Sequence, residues 1–186
     1  MPVRGGFEEA MKLTLVHEGG WYDGSDPRDP NPTMYGVIQS RYDAYRAAKG
    51  APKQSVRLIT MEELLDVYRE YWVGVCDQLP PLLGLCVFDM SINAGPATAR
   101  KLVQRALDIA DDGDFNDSVD DDGKFGPKTL ATIQTLKDQD WKLAMLVCME
   151  RIRYYDSLAD DQRLRPNLKS WVHRTIKFYD QYLALR

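Results

Sequence analysis

Apolar residues recur at intervals of three and four along most of the chain, and this spacing is typical of amphipathic helices. The segments that carry it, or that are apolar throughout, are 7–18, 39–48, 60–72, 82–93, 97–110, a segment beginning at Pro127, 140–158 and 168–184. Strand-like alternation is limited to one short hairpin around residues 33–38. The pattern therefore predicts a mostly α fold.

Turn and capping residues separate these segments. Thr60 and Glu63 have the spacing of a capping box, in which the threonine caps the helix and the glutamate reaches back to its amide. Gly95 ends the segment 82–93, and Pro127 stands near the first position of its helix. Because 82–93 is almost wholly apolar, we predict that it forms a buried helix at the centre of the fold.

Glu18 is the first residue that carries candidate chemistry. It shares a predicted helical face with Phe7, Met11 and Leu15, and two glycines follow it directly. Glycine readily takes the left-handed conformation that ends a helix, so we expect Glu18 to lie in the last helical turn. Partial burial and the carboxyl end of the helix dipole both disfavour a negative charge there. We therefore expect Glu18 to hold a proton more readily than an exposed glutamate does.

A long irregular loop follows at residues 21–36. Its three prolines and its many Asp, Asn, Gly and Ser residues exclude regular structure over most of its length. A loop of this length in a compact domain is more often functional than filler. The aromatic side chains of Trp21, Tyr22 and Tyr35 are candidates for stacking on sugar rings.

The combination of Glu18 with this loop suits the hydrolysis of a glycosidic bond. That reaction needs an acid to protonate the leaving oxygen and a second group to stabilise the transition state, attack it or hold a water. Glu18 is the candidate acid, and Asp26 and Asp29 are alternative second groups. Thr33 could position the attacking water. Taken alone, however, a glutamate before two glycines is more often an exposed residue at a helix end.

Other polar residues fall on predicted helices. Asp89 and Asn93 lie four residues apart on the central helix, where they either line a substrate cleft or satisfy buried backbone groups. The sequence favours neither alternative. We expect Trp171 and Arg174 to be packing and surface residues, with glycan contact as the alternative.

Composition and charge narrow the class of protein. The 186 residues are 44% hydrophobic and 28% charged, which is typical of a globular domain with a sizeable core. The net charge of −4 argues against non-specific nucleic-acid binding, but eight aspartates lie within 108–122, so the remainder carries +4 and could meet an anionic polymer. No apolar run is long enough to span a bilayer, so we expect no membrane insertion. The amino terminus lacks the pattern of a signal peptide, so we expect a cytosolic product.

Metal and cofactor sites are not expected. The three cysteines form no CxxC pair and are predicted to be buried reduced thiols, and two histidines are too few for a His-based zinc site. The polar spacing from Asp112 to Asp120 is similar to a calcium loop. However, Asp117 replaces the required glycine and Gly123 the closing glutamate. We therefore predict a solvated acidic loop.

The ordered motifs resemble glycoside hydrolase family 108, the N-acetylmuramidases of phage endolysins and prophage-like loci, together with the peptidoglycan-binding-like domain that usually follows. The resemblance spans nearly the whole chain. It is carried by Glu18-Gly19-Gly20-Trp21, Thr33-x-Tyr35-Gly36-Val37, Tyr68-x-x-Tyr71-Trp72, Leu79-Pro80, Val87-Phe88-Asp89-x-x-x-Asn93-x-Gly95, Ala99-x-x-Leu102-x-Gln104, Asp122-Gly123-x-Phe125-Gly126-Pro127-x-Thr129-Leu130, Arg151-x-x-Tyr154-Tyr155 and Trp171-x-x-Arg174.

The resemblance implies a lysozyme-like helical fold and hydrolysis of the β-1,4 bond between N-acetylmuramic acid and N-acetylglucosamine. It places a muramidase region at 1–95 and a peptidoglycan-binding-like region at 96–186, packed as one unit. The family's catalytic glutamate corresponds to Glu18. The Glu–Asp–Thr order resembles the triad of phage lysozymes, which would place Asp26 or Asp29, and Thr33, beside it. The chain departs from the family at Asn31-Pro32, where a Gly-Gly is common, and in the acidic stretch at 111–121.

These features predict a monomeric endolysin that acts on the glycan strand of peptidoglycan without a cofactor. It would be made in the host bacterial cytoplasm and would reach the wall in the periplasm after release, with a holin if it is phage-encoded. The alternatives are a non-catalytic peptidoglycan-binding module and a bacterial muramidase that serves secretion. A chitinase or a lytic transglycosylase also remains open.

Overall fold

The structure is a computed structural model that describes residues 6–27, 29–110 and 119–185, with side chains described through Gln181. Its described part consists mainly of helices, as predicted. In chain order the elements are α1 (Phe7–Leu15), β1 (Trp21–Tyr22), β2 (Thr33–Met34), β3 (Val37–Ile38), α2 (Gln39–Ala48), α3 (Met61–Trp72), α4 (Pro81–Ala94), α5 (Pro96–Ala110), α6 (Pro127–Thr135), α7 (Asp140–Asp156) and α8 (Leu168–Leu185). Short 3₁₀ turns join several of them, at Val56–Leu58, Cys76–Gln78, Lys137–Gln139 and Arg165–Asn167.

Local sequence signals set the starts of α3 and α6. The capping box before α3 is present, because the Thr60 hydroxyl accepts from the Glu63 amide at 3.2 Å and the Glu63 carboxylate accepts from the Thr60 amide at 3.0 Å. Pro127 opens α6, where its missing N–H costs no hydrogen bond. Both features confirm the predictions from sequence.

Helix α4 is the predicted buried helix at the centre of the fold. Every residue from Leu82 to Ser91 is buried, and α4 packs against α1, α3, α5 and α7. No side chain of its own caps its first turn. Instead the Asp140 carboxylate, at the start of α7, accepts the amides of Leu82 and Leu83 at 2.7 and 3.0 Å. Burial raises the pKa of Asp140 despite these two bonds.

A small antiparallel sheet of order β1-β2-β3 lies beside the helices. The predicted hairpin near 33–38 is confirmed: Thr33 pairs with Ile38 and Met34 with Val37. Its turn residues Tyr35 and Gly36 have φ of 50° and 79°, as a tight two-residue hairpin turn requires. Strand β1, which the sequence did not predict, pairs Tyr22 with Thr33 and so closes the base of the long loop.

Three further predictions concern the cysteines, the calcium-like spacing and membrane insertion. All three cysteines are buried, as expected for structural thiols. Most of the calcium-like spacing, at residues 112–118, lies outside the described residues. None of the described helices combines the length and the apolar composition that a membrane-spanning helix needs.

Candidate active site

Glu18 lies beyond the end of α1 rather than in its last turn. The helix ends at Leu15, and a tighter turn continues as the amides of His17 and Glu18 donate to the carbonyls of Thr14 and Leu15 at 2.9 and 3.3 Å. Neither Gly19 nor Gly20 takes a left-handed φ. The prediction that the glycine pair ends the helix was therefore wrong, because the turn at 16–18 takes up the last helical carbonyls first.

The Glu18 side chain is held between the carboxyl-terminal helix and the hairpin turn. Its Oε1 accepts from Nη1 of Arg174 at 2.6 Å, and the side chain is 12% exposed. On its other side, a Cβ added to Gly36 would lie 2.4 Å from Oε2 of Glu18 and 2.7 Å from the Tyr68 hydroxyl. Position 36 must therefore be glycine, both for its φ of 79° and for the space that Glu18 occupies.

Arg174 belongs to a chain of alternating charges that runs into the core. Its Nη2 donates to Oδ1 of Asp89 at 2.6 Å, and Nη1 of Arg151 donates to Oδ2 of the same carboxylate at 2.6 Å. Nε of Arg151 donates to the Tyr155 hydroxyl at 2.7 Å, which in turn donates to Oδ1 of Asn93 at 2.6 Å. We call the four ions Glu18, Arg174, Asp89 and Arg151 the buried ion chain.

The charges of the buried ion chain stabilise one another. Burial opposes the ionisation of Asp89, which is 0% exposed, but Arg151 and Arg174 outweigh it and hold the pKa of Asp89 below its ordinary value. Burial would likewise lower the pKa of Arg174, whereas Asp89 and Glu18 together raise it. Asp89, Arg151 and Arg174 therefore remain charged.

Burial and the charges of the buried ion chain also shift the pKa values of Tyr68 and His17. Burial, followed by the charge of Glu18, raises the pKa of Tyr68, so its hydroxyl stays protonated and donates to the Tyr35 carbonyl at 2.5 Å. Burial, followed by the charge of Arg174, lowers the pKa of His17, which favours a neutral imidazole next to Glu18 in sequence.

Two adjoining cavities lie around these groups. The first, about 630 Å³, is lined by Glu18, Asn93 and Trp171 among others, and we call it the glutamate cavity. The second, about 580 Å³, is lined by residues of the long loop and is called the loop cavity. Pro166 and Trp171 line both cavities, so these two side chains mark where they meet.

The predicted loop residues gather in the loop cavity. Asp26, Asp29 and Thr33 all line it, together with Tyr22. The Tyr22 hydroxyl donates to the Asp29 carbonyl at 2.8 Å and accepts from the Asp26 amide at 2.9 Å, so it holds the loop together. Glu18 is not among the residues that line this cavity. The structure thus brings the two acids and the threonine together, in a cavity that adjoins the one lined by Glu18.

The remaining predicted residues are placed differently. Asn93 lines the glutamate cavity, whereas Asp89 is sealed within the buried ion chain, where a glycan cannot reach it. The substrate-cleft alternative for Asp89 is therefore wrong, because two guanidinium groups enclose its carboxylate. Trp21 is 37% exposed with the Arg57 guanidinium over its ring, and Tyr35 contributes its carbonyl to the hydrogen bond from Tyr68. Neither Trp21 nor Tyr35 lines the two cavities.

Sequence reasoning missed two residues of this site. Arg174 was expected at the surface, but it is buried and binds Glu18 across 156 positions of the chain. Gly36 was recognised only as part of a motif, and its contact with Glu18 appears only when the hairpin folds back. A lone arginine in an amphipathic helix gives no sequence signal of a buried partner so distant.

The geometry defines a class: a helical protein with one acid fixed in the wall of a cleft and further carboxylates in an adjoining cavity, which are the groups that a glycoside hydrolase uses. Comparison with known proteins agrees. Residues 11–95 match the family model described as Glycosyl hydrolase 108, and residues 98–176 match that described as Predicted Peptidoglycan domain. Residues 11–95 are therefore a glycosyl hydrolase 108 region, and a region of the second family follows it.

Solved structures support the same assignment. The structure of Brucella abortus SagA matches with a TM-score of 0.74 and 28% identity, over 96% of this chain and 94% of that chain. No curated protein sequence matches the chain. The fold is lysozyme-like, and the protein is a glycoside hydrolase that acts on peptidoglycan.

Substitution of Gly36 tests whether the hairpin positions Glu18. Gly36→Ala should lower turnover by about 10²-fold, the scale expected when a reacting group is displaced by about 1 Å. Gly50→Ala is the matched control, because Gly50 also has a positive φ, of 67°, but has open space around it. Steady-state rates of the two variants are compared on purified peptidoglycan, at matched fractions of folded protein. Equal rates for the two variants would show that the contact with Glu18 is immaterial.

Substitution of Asp89 tests the buried ion chain. Asp89→Asn leaves two buried guanidinium groups without their shared carboxylate and should lower the free energy of unfolding by about 3–5 kcal/mol at neutral pH. Because the pKa of Asp89 is lowered in the folded state, its contribution is complete above about pH 4 and is lost as pH falls further. Urea unfolding of both proteins should therefore show a gap that narrows only in acid.

The control for this variant is Asp121→Asn, which removes an exposed partner of Arg105. An exposed pair contributes little, so the unfolding midpoint should hardly change. If Asp89→Asn changed the unfolding midpoint as little as Asp121→Asn does, the buried ion chain would not be a structural element of the fold.

Proposed function

We propose that this protein is an N-acetylmuramidase that cleaves the β-1,4 bond between N-acetylmuramic acid and N-acetylglucosamine, with Glu18 as the general acid. The observation that carries the proposal is the placement of Glu18. Its carboxyl lines a cavity of about 630 Å³ and is fixed from two sides by Arg174 and Gly36. A positioned carboxyl at the wall of a cleft is what proton transfer to a glycosidic oxygen needs.

The geometry suggests how the acid works. Arg174 donates to Oε1 of Glu18, so Oε2 is the oxygen of this carboxyl that would pass a proton to the substrate. Transfer of this proton to the leaving oxygen breaks the bond to the anomeric carbon and leaves an oxocarbenium-like sugar. A negative charge or a held water on the opposite face then completes the reaction.

The loop cavity offers groups for that second role. Asp26 is half-buried and Asp29 is exposed, and both line the same cavity as Thr33. A carboxylate with a hydroxyl beside it is suited to hold an attacking water, which favours hydrolysis over the anhydro-forming transglycosylase reaction. Asp26 and Asp29 remain alternatives for this position.

The biological setting is part of the proposal. A monomeric chain made in the bacterial cytoplasm would reach the wall after release, through a holin if the gene belongs to a phage, and would lyse the cell. A bacterial muramidase that serves secretion would have the same chemistry. The rival from another class is a peptidoglycan-binding module without catalysis, and it would bind murein sacculi without releasing reducing sugar.

Glu18→Gln tests the acid directly. The variant keeps the size and most of the hydrogen bonding of the side chain but cannot donate a carboxyl proton, so release of reducing ends from purified peptidoglycan should fall by about 10²-fold or more. Glu8→Gln, an exposed change on α1, the helix that leads to Glu18, is the control. Mass spectrometry of the wild-type products should show reducing N-acetylmuramic acid ends. Anhydro ends, or full activity in Glu18→Gln, would refute the proposal.

Single alanine variants of the loop distinguish its two acids. We predict that Asp26→Ala or Asp29→Ala, but not both, lowers turnover by about 10²-fold, because one position holds the second group of the reaction. Circular dichroism should show that both variants remain folded. Mild and equal losses in both variants and in Thr33→Ala would mean that the loop only shapes the cleft.

A further inference from the structure

One face of α8 carries a row of nitrogen-bearing side chains. Lys169, His173 and Lys177 are spaced by four residues, so they lie above one another on the same side of the helix. All three line the glutamate cavity, the same cavity that Glu18 lines. We call these three residues the α8 basic row. The row therefore borders the space that a glycan must occupy to reach the candidate acid.

The positive charges of this row are not neutralised by their neighbours. Among the residues that the structure describes, Lys169 and Lys177 take part in no ion pair. Glu18 is the carboxylate of the cavity lining, and Arg174 already binds it. The wall thus presents unbalanced positive charge toward the bound substrate, although the whole chain carries −4.

The length of the row suggests what it meets. Eight residues of helix separate its ends, or about 12 Å at 1.5 Å per residue. An extended peptide covers that distance with about four residues at 3.3–3.6 Å each. In peptidoglycan, the lactyl group of N-acetylmuramic acid carries a short peptide stem with free carboxylates on several residues. A stem that leaves the sugar beside Glu18 would pass along a surface of matching length and opposite charge.

We propose that the α8 basic row is a subsite for the carboxylates of the peptide stem, so that the enzyme favours glycan whose muramic acid residues carry stems with free carboxylates. The proposal rests on the muramidase function proposed above, because only a cut beside muramic acid places the stem near this wall. Lys169 and Lys177 supply the charge, and His173 supplies a hydrogen-bonding nitrogen between them. The row would thus determine specificity, while Glu18 performs the chemistry.

Neutralised substrate provides the first arm of the test and needs no variant. Wild-type protein is assayed on uncrosslinked peptide-bearing glycan strands and on the same strands after carbodiimide coupling with ammonia, which converts the carboxylates to amides of similar size. We expect kcat/KM to be about fivefold or more higher on the unmodified strands, the effect of one to two exposed charge pairs. About 0.5 M salt should remove most of this ratio, since it screens the charges.

Lysine variants test whether the α8 basic row causes the preference for unmodified strands. In Lys169→Gln/Lys177→Gln the ratio of kcat/KM between unmodified and amidated strands should fall to within about twofold of one. The matched control is Lys12→Gln/Lys137→Gln, which removes two exposed lysines that do not line the glutamate cavity and should keep the wild-type ratio. Because the readout is a ratio within each protein, a loss of folded fraction does not imitate the result.

A binding measurement separates this proposal from the proposed function. Glu18→Gln protein should sediment with unmodified sacculi more strongly than with amidated sacculi, whether or not it cleaves them. A wild-type ratio near one, or a ratio kept by the double lysine variant, would overturn the stem subsite while leaving the muramidase assignment intact. Competition by a soluble phosphodiester polymer, with no effect of amidation, would assign the row to a different polyanion and also overturn it.

Discussion

The rest of this structure depends on one interaction, the buried ion pairing of the Asp89 carboxylate with the guanidinium groups of Arg151 and Arg174. Asp89 lies on the central helix α4, Arg151 on α7 and Arg174 on α8, so one buried anion joins the central helix to two helices that follow much later in the sequence. Arg174 then extends past the core and binds Glu18 just beyond α1. The position of the candidate acid is therefore set by the packing of the carboxyl-terminal helices as well as by its own segment.

Buried ions are a costly way to hold helices together. Removing charges from water costs several kcal/mol per ion, and well-packed apolar residues often stabilise a core equally well. The arrangement has a clearer purpose at its outer end, because the Nε and Nη2 atoms of Arg174 bind Asp89 and so fix the orientation in which Nη1 meets Glu18. A carboxyl that must transfer a proton benefits from such preorganisation, because it is not free to rotate away from the substrate. Gly36 contributes to the same positioning, because the hairpin turn at this glycine packs against the side of the Glu18 carboxyl that Arg174 does not bind.

Much of the fold could be predicted from the sequence, since its signals are local. The capping box at Thr60, the proline that opens α6 and the apolar run of α4 each depend on neighbours a few residues away. Glu18 could likewise be singled out from its own segment and the loop that follows. The partners of Glu18 could not, because the Arg174 contact spans 156 positions and the Gly36 contact requires the hairpin to form. The sequence could not decide whether Asp89 lines a substrate cleft or lies in the core for the same reason, because its partners Arg151 and Arg174 are on the distant helices α7 and α8.

The claim that Arg174 positions Glu18 is tested most directly by comparing Arg174→Gln with Arg151→Gln. Each variant removes one guanidinium from Asp89 and should destabilise the fold to a similar degree, but only Arg174 touches Glu18. Measured below the unfolding transition of both, kcat on purified peptidoglycan should fall about tenfold to a hundredfold further in Arg174→Gln than in Arg151→Gln. Equal losses of kcat in the two variants, or wild-type turnover in Arg174→Gln, would contradict the account.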